Sequence, residues 1–387
     1  MIPISKPYIG KLENRYIQKV LNSKVLVDGY FQQKVEKIIE KRINSISISL
    51  TQSCTHALEI ASILLDIKSG DEIIMPSYGY VSLCNAIVLR GGVPIFAEIN
   101  PKTLNIDPDD IKRKITKKTK AIYIIHYAGN SCNLEKIIKI KKKYNLYLVE
   151  DAAHAFLGKY HDKFLGTLGD IGVFSFHETK NITGGQAGCI SINNKKFLRR
   201  KDYILDKGTD RRSFIRNIYK KIIDANLNKK FYTWVDVGSE YRASEISSAL
   251  IYAQLKKVSY IQTSRRVLYK RYFKLFQKIN SDQLKLIATN KFNVSANHLF
   301  AVIFKNELIA KKFKVYLQNN NIAATFHYVP LHKSKMGRLF RVKKLKITEN
   351  IYKRVVRIPF FCGLKEFEIK RIENIIYKFF KEKKVIN

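Results

Sequence analysis

The sequence predicts an α/β fold, with a large domain built on a mostly parallel sheet and a smaller α+β domain after it. Three observations carry this. Short runs of β-branched and aromatic residues alternate with segments of helical period. The segments between successive runs are long enough for crossover helices. Beyond about residue 250 the alternation gives way to a long Arg- and Lys-laced helix, LKKVSYIQTSRRVLYKRYFKLFQKI, then short strands such as HLFAVIF and a final helix, LKEFEIKRIENIIYKFFKEK. A chain of 387 residues suits this division, which is placed at 1–250 and 251–387, with the N-terminal segment packing on the large domain.

A helix-like stretch runs from about Asn14 to Arg42, and the run SISISL is a short strand. It leads into a polar turn, Thr51 to His56, that opens a helix in ALEIASILLDI. GDEIIMP, VPIFAEIN and KAIYIIHYAG read as strands, and CNLEKIIKIKKKYN is a helix between the last of these and YLVEDAA. The next strand is IGVFSF, followed by the polar stretch HETKNITGGQAG and the strand CISIN. In open sheets of this kind ligands bind beyond the carboxyl ends of the strands, where His126, Asp151 and the segment around Tyr80 fall. A lysine just after IGVFSF, facing a glycine-rich turn, sits where a small anionic cofactor could be held. In a Lys-rich chain a single lysine is ordinarily a solvated one, so that placement needs company to carry meaning.

Composition narrows the function classes. Seventy-one Lys and Arg against 32 Asp and Glu give a net charge of +39, which on its face suits phosphate contacts with nucleic acid. Lysine, however, is spread over every segment and is abundant together with Ile and Asn, the pattern of an AT-rich coding bias. Net charge speaks to solubility and non-specific binding, so no specific nucleic-acid partner is expected. No run approaches the roughly 20 apolar residues that span a bilayer, and MIPISKPYIGKLENRY lacks a signal-peptide core, so a cytoplasmic protein without a membrane partner is expected. The five cysteines are scattered, never at zinc or redox spacing; they read as reduced thiols, and no metal site is expected.

Over almost its full length the chain resembles the DegT/StrS-type sugar aminotransferases, which have the type I, aspartate-aminotransferase-like, pyridoxal-phosphate (PLP) fold. The resemblance rests on TQSCTHALEIASILLDIKSGDEIIMPSYGYVSLCNAIVLRGG, the strand ending HYAG, VEDAAHAF, GTLGDIGVFSFHETKN, GTDRRSF, YTWVDVGSEYRASEISSAL and FHYVPLH, in that order. FSFHETKN with KGTDR, YTWVDVGS and FHYVPLH is most similar to the dTDP-4-amino-4,6-dideoxygalactose transaminases. The resemblance implies that Lys180 is the Schiff-base lysine, since an imine requires a nitrogen nucleophile. It also implies that Asp151 holds the proton on the pyridine nitrogen, although an Asp after YLVE is equally suited to cap a helix. Tyr80 matches the aromatic that stacks on the cofactor ring, against a packing role. Cys54, Thr55 and His56 match the phosphate cradle at a helix N-terminus, with Ser175 added as a hydroxyl donor. His154 stands where the family often has Gln, and either side chain can donate to the phenolic oxygen. The usual GGEGG after the lysine is here Gly184, Gly185, Gln186, Ala187, Gly188, which loses a carboxylate and one flexible position.

His327 and Tyr328 fall where relatives approach the sugar nucleotide, and Arg211 could meet a donor carboxylate or a diphosphate, or simply be solvated. The lone Trp234 reads as packing. The resemblance implies a homodimer in which Gly238 to Ser248 contribute across the interface. It further implies L-glutamate as donor, a nucleotide-linked 4-keto-6-deoxy sugar as acceptor and the 4-amino sugar as product, for surface polysaccharide or glycolipid synthesis. Two other readings stay open. One is the family's sugar dehydratases, in which His replaces the lysine, and Lys180 argues against it. The other is a relict or nucleic-acid-binding protein, against which Asp151 and Lys180 both stand.

Overall fold

The computed structural model describes residues 1–212, 231–340 and 344–381. Where the sequence suggests one N-terminal helix, the chain forms two, Lys11–Ser23 and Tyr30–Ile43. The break is local: Lys24 and Asp28 take φ of 57° and 54°, and Ser23 Oγ donates back to the Val20 carbonyl. Residues in the left-handed region cannot continue a right-handed helix. The second helix is capped from far along the chain, because the Glu245 carboxylate accepts the N–H groups of Phe31 and Gln32 at 2.9 and 2.8 Å.

The large sheet contains β1 (Ser47–Thr51), β2 (Glu72–Pro76), β3 (Val93–Ala97), β4 (Thr119–Ile125), β5 (Tyr147–Asp151), β8 (Ile171–Ser175) and β9 (Gly188–Ile192), in the order β1-β9-β8-β5-β4-β2-β3. β9 pairs antiparallel with both β8 and β1 and is the strand of this sheet that runs against the rest. β3, β2, β4, β5 and β8 pair in parallel. Both faces are covered, as parallel sheets require. On β4, Ala121, Tyr123 and Ile125 enter one core with Ala57, Leu58 and Ile87 of the helices Cys54–Leu64 and Val81–Val88. Ile122 and Ile124 enter the opposite core with Val35, Ile39 and Ile137. Between β5 and β8 lie β6 (Lys159–Tyr160) and β7 (Lys163–Phe164), a hairpin extended by β11 (Asn293–Val294).

A second sheet, β10 (Leu284–Leu286), β12 (Phe300–Phe304) and β13 (Val355–Ile358), is antiparallel with β12 in the middle. The period of two decides what it touches. Phe300, Val302 and Phe304 face helices Val258–Ile279, Glu307–Asn319 and Glu366–Lys381 through Tyr272, Phe313 and Phe379. Ala301 and Ile303 face Tyr78, Leu104 and Tyr127 of the large sheet's loops. The expected break at residue 250 falls inside helix Glu245–Lys256. The two cores instead meet along Val258–Ile279, whose Val258 and Ile261 pack with the large sheet and whose Leu268, Tyr272 and Phe276 pack with the small one. The first residues join the C-terminal part: Ile2 N donates to Asn321 O, and Ala323 N donates to Ile2 O, at 2.8 and 2.9 Å.

Phe313 is fully buried at the centre of the smaller core, whereas Phe326 is 51% exposed. Phe313→Ala is expected to lower unfolding free energy by about 3–5 kcal/mol, and Phe326→Ala to change it by no more than about 0.5 kcal/mol. Urea titration of the two variants checks the difference.

Candidate active site

The carboxyl ends of β5 and β8 and the turns after β1 and β2 surround a cavity of about 440 Å³. Nine residues singled out from the sequence line it: Cys54, Thr55, Tyr80, Asp151, His154, Ser175, Lys180, His327 and Tyr328. They come from both sheets' loops, so the cavity exists only because the small sheet sits over the large one's carboxyl edge.

The wall after β1 is made for an anion. Ser53 caps the helix Cys54–Leu64, its Oγ accepting the His56 N–H at 3.1 Å. That leaves Cys54 and Thr55, the first two helical residues, with N–H groups that have no intrahelical acceptor, at the positive end of the helix dipole. Thr55 Oγ1 is 2.7 Å from Ser82 Oγ, placing a second hydroxyl beside it. β9 begins against this turn: a Cβ on Gly188 would stand 2.4 Å from the Cys54 nitrogen, so only glycine allows the approach.

The floor carries the ionisable groups. Asp151 ends β5, and its Oδ1 accepts the Ala153 N–H at 2.9 Å. Burial pushes its carboxyl above the usual range, opposed by that hydrogen bond and by Lys180. Lys180 follows β8, its N–H donating to the His177 carbonyl at 2.9 Å. Burial brings its ammonium down to about 8, although Cys54 and Asp151 favour the charged form, and Arg357 adds to the lowering. The Lys180 Nζ makes no hydrogen bond among the described residues. His154 stacks on His298 at 4.3 Å between centroids and lies 5.8 Å from His327. Burial, then the charge of Lys180, holds it neutral. Its Nε2 is 3.4 Å from Tyr328 Oη, while its Nδ1 is buried with no partner.

These groups fit pyridoxal phosphate. The helix N-terminus suits the phosphate, Asp151 suits a protonated ring nitrogen, Lys180 is a buried amine near neutrality, and the orphaned His154 Nδ1 awaits a polar atom. Tyr80 is 61% exposed at the mouth, 6.3 Å from the Tyr328 ring, and offers a free aromatic face.

Two candidates lie elsewhere. His56 spends its N–H on Ser53, and its ring packs edge-on to Tyr241 in a neighbouring cavity of about 740 Å³. Arg211 lines that same cavity and pairs with Asp206 at 3.3 Å and Asp28 at 3.7 Å. Trp234, expected to pack, is 77% exposed. Ser213 and Phe214 of the GTDRRSF motif lie outside the described residues.

Ser82, His298 and Arg357 are among the cavity-wall residues that the sequence reading missed. Arg357 had a signal, since it is the one charge within the strand VVRI. Its Nε is buried without a partner, and no carboxylate pairs with it among the described residues. His298 donates through Nδ1 to Asn181 Oδ1 at 2.9 Å, because Asn181 Nδ2 is committed to the Ala296 carbonyl.

Comparison with known proteins gives consistent results. The model of the DegT/DnrJ/EryC1/StrS aminotransferase family matches residues 7–377. The chain is 30% identical to the uncharacterized protein MJ1066 of Methanocaldococcus jannaschii over 388 residues, covering 98% of each chain. It is 28% identical to the GDP-perosamine synthase of Vibrio cholerae over 385 residues, covering 98% of this chain and 99% of that one. Among solved structures it superposes on Helicobacter pylori PseC, an aminotransferase involved in pseudoaminic acid biosynthesis, with TM-score 0.88, 24% identity, and 98% of this chain and 99% of that one covered.

The low position of Lys180 has a kinetic consequence. Only the neutral amine is nucleophilic, so the rate of covalent capture of pyridoxal phosphate is expected to rise with pH and level off above about 8. An ordinary lysine would keep accelerating toward about 10.4. Stopped-flow absorbance across pH 6.5–10 distinguishes the two, whose midpoints lie roughly two pH units apart.

Proposed function

The chain belongs to the DegT/DnrJ/EryC1/StrS aminotransferase family, whose members are PLP-dependent sugar aminotransferases, and on that premise we propose that it aminates C4 of a nucleotide-linked 4-keto-6-deoxy sugar, with L-glutamate as donor. The observation that carries the reading is the meeting of Lys180 and Asp151, from the ends of adjacent strands, in one cavity with a helix N-terminus.

When bound, the cofactor supplies an aldehyde that takes up the amino group and a ring that withdraws electrons from the carbon bearing it. The protein supplies position and proton transfer. Cys54 and Thr55 N–H groups, with the hydroxyls of Thr55, Ser82 and Ser175, would hold the phosphate. Asp151 would keep the ring nitrogen protonated, and His154 would donate through Nδ1 to the phenolic oxygen. Tyr80 would cover the ring at the mouth. Lys180 is the amine that would anchor the cofactor, and as a free base it moves the proton at the substrate carbon. A single cavity with a single such lysine takes donor and acceptor in turn, so the kinetics are ping-pong, with 2-oxoglutarate leaving before the sugar enters.

The donor carboxylate belongs on Arg357, in place of the Arg211 that the sequence suggested, since Arg357 brings an unpaired guanidinium into the cavity and Arg211 does not. His327 and Tyr328 stand over the same space and meet the sugar. The nucleotide is assigned as dTDP from FSFHETKN, YTWVDVGS and FHYVPLH, although GDP appears in the name of a relative. Exposed Tyr232, Trp234, Val235 and Val237 form an apolar surface that a second subunit would cover. The reading accordingly includes a two-fold dimer, with Gly238 to Ser248 reaching toward the partner's site.

Wild-type protein loaded with pyridoxal phosphate is expected to show visible absorbance that fades on adding L-glutamate, with 2-oxoglutarate released, and Lys180→Ala to show neither change. Loss of the response in the wild type would remove glutamate from the reading. Incubating the aminated enzyme with dTDP- and GDP-linked 4-keto-6-deoxy sugars, followed by mass spectrometry, identifies the nucleotide. Arg357→Met is expected to raise KM for glutamate by about ten- to a hundredfold, the worth of a hydrogen-bonded charge, with KM for the sugar unmoved.

A further inference from the structure

The motif GTLGDIG and the residue before Asp151 do not line the cavity, yet together they form a fully hydrogen-bonded carboxylate next to it. Glu150 is fully buried on the face of β5 opposite to Asp151. Its Oε1 accepts the N–H groups of Leu168 and Gly169 at 2.6 and 2.5 Å. Its Oε2 accepts Gly166 N–H at 2.9 Å and His126 Nε2–H at 2.8 Å. The His126 tautomer follows from the Cys132 N–H, which donates to Nδ1 at 3.2 Å and leaves the proton on Nε2. Burial alone would raise the Glu150 carboxyl, but the His126 hydrogen bond and the backbone donors outweigh it and hold the group below its usual range.

The glycines are there so that the loop can close on this carboxylate. Gly166 has φ 87°, and a Cβ on it would stand 2.4 Å from Phe174 Cζ. A Cβ on Gly169 would meet the Leu148 carbonyl at 2.6 Å, and one on Gly172 would collide with the backbone of Gly166. The nest therefore ties β5 to the segment entering β8, while His126 ties it to the exit of β4. His126 N also donates to the Asp151 carbonyl at 3.1 Å. The end of β5 is thus held from both neighbouring strands, at the Glu150 side chain and at the backbone of Asp151, whose carboxyl must meet the ring nitrogen.

We propose that Glu150 and His126 are positioning residues that act through Asp151, fixing its carboxylate for the amino-transfer step. The inference rests on the role given to Asp151 above. A Gln at 150 keeps the shape but presents an NH2 to two of the four donors, so the nest loosens and the strand end shifts. A misplacement of about 1 Å at a catalytic group costs on the order of a hundredfold in rate.

The test is a double-mutant cycle on cofactor-loaded dimer or monomer as purified, with kcat expressed per loaded site and solvent-deuterium exchange at the glutamate α-carbon followed in parallel. Glu150→Gln is expected to lower both rates by about tenfold or more with KM values unchanged, and to have almost no further effect in an Asp151→Asn background. His126→Leu, read in the same cycle, serves if Glu150→Gln does not fold. If either substitution lowers only cofactor occupancy or the unfolding midpoint, with kcat per loaded site within about twofold of wild type, the inference is overturned. Multiplicative losses with Asp151→Asn overturn it too. If Asp151→Asn alone leaves kcat per loaded site intact, the role of Asp151 falls first, and this inference falls with it.

Discussion

The structure turns on keeping an amine and a carboxyl out of water at one point. Burial disfavours the charged form of each, and their nearness opposes that, leaving Lys180 at about 8 and Asp151 above the usual carboxylate range. Neither value is available to a side chain on an open sheet edge. The small sheet supplies the enclosure, since β12 sends Ala301 and Ile303 toward the large sheet and Phe300, Val302 and Phe304 into its own helices. The helices of the C-terminal part stabilise the roof, and the roof sets the electrostatics of the floor.

Most of the frame could be read from the sequence because its signals are local. Most strands of the large sheet contain several β-branched or aromatic residues, and both faces of β4 are apolar, so its pattern needed no partner to be recognised. The first helix was misjudged because its break, at left-handed Lys24 and Asp28, carried a turn signal in the Asp28-Gly29 pair that the reading passed over. The division placed at residue 250 falls inside helix Glu245–Lys256, short of the helix along which the two cores meet. Helix Val258–Ile279 has one continuous amphipathic pattern, and nothing in a periodicity says that its two ends pack into different cores.

The site divided along the same line. Lys180, Asp151, His154 and the turn after β1 are each tied to a strand end, and the fold brings strand ends together. His56 and Arg211 were placed by neighbourhood in sequence, and each is claimed by a nearer partner, Ser53 in one case and Asp206 with Asp28 in the other. Arg357 and His298 reach the cavity from more than a hundred residues beyond Lys180, a distance over which spacing carries no information. The large positive charge is spread along the whole sequence. Within the cavity, though, Arg357 and Lys180 face a single acid, a local surplus of cations that suits a phosphate and a carboxylate.

β9 is the one strand of the large sheet that runs backward, and this governs how freely the site can change. The chain leaves β8 and re-enters β9 on the same edge, so the segment bearing Lys180 departs and returns without crossing the sheet. Its ends are fastened in register, Ser175 opposite Gly188, and Phe176 N–H donates to the Ala187 carbonyl at 2.8 Å. A parallel ninth strand would have demanded a crossover, and residues added or lost there would have dragged the helix packing with them. Here the lysine rides a detachable bow whose length and composition can drift while the frame keeps its register. The exchange of a usual carboxylate and glycine for Gln186 and Ala187 falls at the return end of the bow, where Ala187 packs into the core and its carbonyl still holds the Phe176 N–H.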